Sequence, residues 1–145
     1  MKTIDEIYGY KSDPEVLRFI ESFLSHSCKT ENDREVIRHT FRAGYCYYFA
    51  VMLKSAFNRG CVCWAAPYGH IVWLDDNGCP YDIEGVCASD VAYFIPVSFL
   101  EDHLQGFKHV GDDGSPTSWE DIVKIIRRFE EVNNISPVSL EIYKA

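Results

Sequence analysis

The tripeptide Asp76-Asn77-Gly78 constrains the fold of this chain more than any other feature, because it is a strong hairpin turn set between two β-compatible runs. His70 to Leu74, rich in branched and aromatic residues, leads into the turn, and Cys79 to Ile83 returns from it. Pro80 cannot donate a ladder hydrogen bond, which suggests an edge or irregular position. Cys61 to Ala65 is a further β-compatible run just upstream. A small antiparallel sheet follows from these three segments, and its apolar face needs helices to cover it.

Two helices of the right kind precede it. Asp13-Pro14-Glu15 combines a capping aspartate, a proline in the first turn and a neighbouring carboxylate, and Val16, Phe19, Ile20, Phe23 and Leu24 then form one apolar stripe. From Tyr45 to Phe57, Phe49, Ala50, Met52, Leu53, Ala56 and Phe57 recur at three- and four-residue spacing until Arg59-Gly60 ends the pattern. Between them a polar run covers residues 25–34, and the pattern of Glu35 to Thr40 fits either a short helix or an extended segment. Later, Ser98-x-x-Glu101 and Ser118-x-x-Asp121 read as capping boxes, the second opening a helix with Ile122, Ile125, Ile126 and Phe129 inside. Val138, Leu140 and Ile142 alternate with polar residues, as a closing strand would, and residues 111–116 read as an exposed loop. The expectation is a single α+β domain over residues 1–145, with N-terminal helices packed on a small antiparallel sheet.

Charge and composition narrow the function classes. Residues 1–74 carry nine Lys/Arg against eight Asp/Glu, but residues 75–131 carry four against thirteen, which gives most of the net charge of −8. Phosphate recognition needs clustered cations, and only Arg34, Arg38 and Arg42 come close, so neither nucleic acid nor a membrane surface is expected as a partner. Their four-residue spacing reads as a solvated helix face paired with Glu31 and Glu35. The longest apolar stretches fall far short of the ~20 residues of a spanning helix, and the start Met1-Lys2-Thr3-Ile4-Asp5-Glu6 turns acidic where a signal peptide turns apolar. A cytoplasmic protein is the expectation. The six cysteines, 28, 46, 61, 63, 79 and 87, are then expected as free thiols, mostly small buried hydrophobes. Cys61, Cys63, Cys79 and Cys87 could together hold zinc, but their gaps lack the paired spacing of a structural site. No metal or organic cofactor is expected.

One cysteine is differently placed. Cys46 opens the helix that ends at Phe57, His70 begins the following hairpin and Asp82 lies on its returning strand. The partial positive charge of a helix start favours thiolate, an imidazole can pair with it and later protonate a leaving amine, and a carboxylate can fix the imidazole tautomer. Gly44 just before Cys46 permits a tight entry into the helix.

Gly44-Tyr45-Cys46-Tyr47-Tyr48-Phe49-Ala50, then Gly69-His70-Ile71-Val72, then Tyr81-Asp82-Ile83-Glu84-Gly85, resembles the Cys-His-Asp core of the papain-like and transglutaminase-like superfamily of cysteine peptidases and acyltransferases. The resemblance covers residues 40–88. It implies a papain-like fold and a thiol protease or amidase chemistry acting on a peptide or protein substrate, with Cys46 as nucleophile, His70 as proton carrier and Asp82 as orienting acid. A transglutaminase-like acyltransferase and a catalytically inactive binding module of the same fold are the alternatives. Papain-like enzymes place a glutamine several residues upstream of the nucleophile for the oxyanion hole. Here Thr40, Phe41 and Arg42 occupy that stretch, leaving the Cys46 N–H with Arg42, Tyr45 or a backbone amide as donors.

Strand parity turns this reading into a geometric requirement. A two-residue turn of Asn77 and Gly78 would pair Trp73 with Asp82 and put Asp82 on the face opposite His70. A three-residue turn of Asp76, Asn77 and left-handed Gly78 pairs Val72 with Asp82 instead and brings Asp82 diagonally beside His70. The triad requires the bulged turn. That register also sets Glu84 opposite His70 as a second candidate for the orienting acid.

Overall fold

The computed structural model describes residues 9–28, 30–42, 45–87, 91, 93–103 and 119–138. Among the described residues three helices come first: α1 (Pro14–Ser27), α2 (Glu31–Arg42) and α3 (Cys46–Phe57). Five strands follow, β1 (Cys61–Ala66), β2 (Ile71–Leu74), β3 (Pro80–Asp82), β4 (Gly85–Val86) and β5 (Tyr93–Pro96), then a 3-10 segment over Val97–His103 and helix α4 (Trp119–Val132). The strands form one antiparallel sheet in the order β4-β3-β2-β1-β5. The N-terminal helices pack on it, so the chain is α+β.

Helix α1 starts where the sequence places it. Asp13 Oδ1 accepts the Glu15 N–H at 2.9 Å and so caps the helix, while Asp13 Oδ2 accepts from Arg59 Nη2 at 2.8 Å. The Asp13 N–H donates to the Tyr81 hydroxyl oxygen at 2.7 Å, which ties the start of α1 to β3. Glu35 to Thr40 resolves as part of α2, whose first turn is acidic and whose last turn holds His39 and Arg42, both favourable to the helix dipole. The exposed side of α2 carries Arg34, bonded to Glu21 at 2.8 Å, and Arg38, bonded to Glu35 at 2.6 Å, with Glu31 near both.

The core lies between the helices and one face of the sheet. Phe23 sits at its centre, with ring centroids 5.5 Å from Phe41, 5.3 Å from Phe49 and 5.0 Å from Phe129. Helix α3 adds Met52 and Leu53, both fully buried, and the sheet contributes Ile71, Trp73 and Tyr81. Each such side chain supplies about 1.5–3 kcal/mol of burial. The opposite face of the sheet carries a smaller apolar cluster of Cys63, Ala65, Val72 and Cys87.

The turn between β2 and β3 has the bulged geometry. Asp75 N–H donates to Cys79 O at 2.9 Å, Gly78 N–H donates to Asp75 O at 3.0 Å, and Gly78 has φ +78°. Trp73 pairs with Tyr81 and Leu74 with Pro80, the register that continues to Val72 beside Asp82.

Two sequence expectations are corrected, and others lie outside the described residues. β3 ends at Asp82, and a second hairpin pairs Asp82 with Gly85 and Tyr81 with Val86, so Glu84 sits in a turn and not opposite His70. Val138 is not in a strand: its N–H donates to Glu130 Oε2 at 2.8 Å and its carbonyl accepts from Arg127, which clips the segment to α4. Gly44, Ser118, Leu140, Ile142 and the loop 111–116 lie outside the described residues, as does the Glu101 side chain of the Ser98 capping box.

Gly60 separates α3 from β1 with φ +76°, and a Cβ there would come within 2.4 Å of the Leu74 carbonyl oxygen and 2.7 Å of Trp73 Nε1. Gly69 has open space around its Cα. Gly60→Ala is therefore expected to lower stability by about 2 kcal/mol or more, and Gly69→Ala by less than about 0.5 kcal/mol, in urea denaturation. Equal effects would contradict this packing of Gly60 against the β2 strand.

Candidate active site

Cys46 is the first residue of α3, and its buried position follows from the helix face it shares with Phe49, Ala50 and Leu53. Tyr45 precedes the helix without a side-chain cap hydrogen bond. The thiol sulfur accepts the Ile71 N–H at 3.4 Å, so the start of α3 is fastened to the start of β2. Tyr45 and Tyr48 are buried in the core and Tyr47 is half-buried at its margin.

His70 lies one residue ahead of β2. Its carbonyl accepts the Ala65 N–H at 2.9 Å, and the connection before it is held by the Tyr68 N–H on Ala65 O and by the Trp64 indole N–H on Tyr68 O. Residues 70 and 72 share one side of the strand, and the register puts Asp82 on that same side. His70 Nε2 and Asp82 Oδ2 are 2.9 Å apart. The other carboxylate oxygen, Oδ1, accepts the Glu84 N–H at 2.8 Å, so the turn after β3 holds Asp82 in place.

Burial alone would lower the His70 pKa, but hydrogen bonds from the ring to Asp82, Cys46 and Cys87, in that order, outweigh it and push the value up to about 12. The imidazole is thus a cation at neutral pH, set between a carboxylate and the thiol at a helix start. Its side chain is 18% exposed and that of Asp82 10%, so the pair is largely but not completely buried.

Of the residues singled out from sequence, Cys46, His70 and Asp82 are brought together, and Glu84 is not. The Glu84 carboxylate instead faces Arg42, with Nε to Oε1 at 3.5 Å, which links the end of α2 to the β3–β4 turn. Thr40 is buried with its hydroxyl on Val36 O at 2.8 Å, and Phe41 belongs to the core, so neither side chain takes the place of an upstream glutamine. The four-thiol zinc set is not assembled. Cys79 packs in the helix-side core, while Cys63 and Cys87, with Cys61 beside them, lie on the other face of the sheet. Cys87 is the residue that sequence reasoning missed at this site. It follows β4 directly, with its N–H on Pro80 O at 2.9 Å, and only the unforeseen β3–β4 hairpin carries its thiol to His70 and Asp82.

Residues 20–112, well over half of the chain and including Cys46, His70 and Asp82, match the family model described as Phage YunG-like protein. No curated protein and no solved structure matches.

If Asp82 is the largest of the groups that keep the ring protonated, Asp82→Asn should lower the His70 pKa clearly from its wild-type value, whereas Glu84→Gln should leave it high. An NMR titration of the His70 ring in both variants checks this. An equal fall in Glu84→Gln would contradict the assignment of Asp82 as the ring's partner.

Proposed function

We propose that this chain, which belongs to the Phage YunG-like protein family, is a thiol-dependent hydrolase of a peptide, isopeptide or side-chain amide bond. The observation that carries the reading is the imidazole of His70, hydrogen-bonded to Asp82 at 2.9 Å and directly preceding Ile71, whose N–H the Cys46 sulfur at the start of α3 accepts at 3.4 Å.

The chemistry follows from these positions. The Asp82 carboxylate occupies Nε2, so Nδ1 is the nitrogen left to exchange a proton with the thiol and the substrate. Cys46 Sγ, as thiolate beside the imidazolium, attacks the amide carbonyl carbon and the carbonyl oxygen becomes an oxyanion. The Cys46 N–H, in the first turn of α3 where helix N–H groups lack an intrahelical acceptor, would donate to that oxygen. The imidazolium gives its proton to the amide nitrogen, the C–N bond breaks, the amine leaves and a thioester remains on Cys46. Water, losing a proton to the now neutral imidazole, attacks the thioester; the acid departs and the thiolate–imidazolium pair is restored. A primary amine in place of water would make the same site a transglutaminase-like acyltransferase.

No helix among the described residues is long and apolar enough to cross a membrane, and the acidic balance of residues 75–131 disfavours nucleic acid. A peptide or protein partner is the substrate class that fits both. The alternative, a binding module of the same fold without turnover, predicts that Cys46 can be replaced without functional loss.

The test is release of amine from a mixed library of peptidyl and side-chain amides, with and without an added primary amine. Cys46→Ala should abolish release and His70→Ala should lower it by roughly a thousandfold or more. Acid-quenched intact mass should show an acyl adduct on Cys46 that hydroxylamine removes. Release that survives Cys46→Ala would overturn the proposal, and absence of release across the library would favour the binding module.

A further inference from the structure

Beside the proposed catalytic groups stands a thiol that the hydrolysis does not use. Cys87 is 4% exposed, and its sulfur, a His70 ring nitrogen and an Asp82 carboxylate oxygen all lie within 4.8 Å of one another. The three side chains come from the approach to β2, the end of β3 and the residue after β4, so the sheet register fixes their convergence. The Cys87 N–H on Pro80 O holds the third donor to the same framework.

Zinc takes nitrogen and oxygen donors at about 2.0–2.2 Å and thiolate at about 2.3 Å, which in a tetrahedron spaces the donors by roughly 3.3–3.8 Å. Atoms already within 4.8 Å of one another need to close by at most about 1.5 Å to reach that spacing. One thiolate, one imidazole and one carboxylate form a donor set that suits zinc and disfavours magnesium or calcium, which prefer oxygen alone. Three protein ligands also leave a fourth position open.

We infer that Cys87, His70 and Asp82 form a binding site for one zinc ion, and that the ion acts as a reversible brake by occupying the imidazole and the carboxylate that the proposed hydrolysis uses. The binding site stands on the three side chains alone. Its braking role rests on the hydrolase reading above, because only there does occupying the imidazole stop a reaction.

Cobalt(II), then competing zinc(II), titrated into the purified metal-free full chain tests the site without any substrate. The expected result is one equivalent bound with a thiolate-to-cobalt charge-transfer band. Cys87→Ser should weaken binding at least tenfold. Cys46→Ala and the double variant Cys61→Ser/Cys63→Ser should each stay within about threefold of the wild type. Asp82→Asn, checked for native circular dichroism, should also weaken binding at least tenfold and serves where Cys87→Ser does not fold. No binding by the wild type would overturn the site. So would binding that survives Cys87→Ser, or that is lost in Cys46→Ala or in the Cys61/Cys63 variant. None of these results depends on whether amides are hydrolysed, so a failed hydrolase reading and a failed metal site are told apart.

Discussion

Everything at the candidate site depends on how many residues the β2–β3 turn contains. Side chains alternate along a strand, so a loop one residue shorter would send Asp82 to the helix side and leave His70 alone on the other face. The left-handed Gly78 and the Asp75–Cys79 bridge settle the count at three, and the Asp75 carboxylate reinforces it by accepting both the Asn77 and Cys79 N–H groups at 2.9 Å. A local turn preference thereby determines whether an acid and a base can meet at all.

The second determinant is the seating of α3. Its buried face packs into the aromatic core around Phe23 and against β1, β2 and β3, which fixes the helix along its axis and hence the position of its first residue. Cys46 is carried to β2 by that packing and fastened there by the Ile71 N–H. The links to Asp13 from Arg59 and from Tyr81 to the Asp13 N–H extend the same framework to the start of α1. Core packing and site geometry are therefore one problem in this molecule. Substitutions deep in the core are expected to disturb the thiol as well as the stability.

What was legible in the sequence is what local rules control. The cap at Asp13, the apolar spacing of the α3 helix and the Asp76-Asn77-Gly78 turn each act within a few residues, and each is found where the sequence places it. Cys46, His70 and Asp82 could be singled out because they sit beside such signals. Non-local pairing was less legible. β5 pairs with β1 across some thirty residues, and although Tyr93, Phe94 and Ile95 have strand character, nothing nearby marks their partner. The turn at Ile83 and Glu84 cuts β3 short, sends Glu84 toward Arg42 and brings Cys87 back, because Gly85 accepts φ +102° and allows the chain to reverse there. Extending β3 by simple alternation missed that reversal. Val138 failed as a strand for a related reason, since the buried Glu130 carboxylate captures its N–H first.

The central claim is that Cys46 and His70 act as one unit. It is tested most directly by the pH dependence of iodoacetamide alkylation at each cysteine, read by peptide mass spectrometry in the wild type and in His70→Ala. The account predicts that Cys46 is the fastest of the six thiols at pH near 6.5, despite being more buried than Cys28 or Cys61, and that His70→Ala slows it about tenfold or more while leaving Cys28 and Cys61 unchanged. A Cys46 that is inert at that pH, or that reacts equally well without His70, would contradict it.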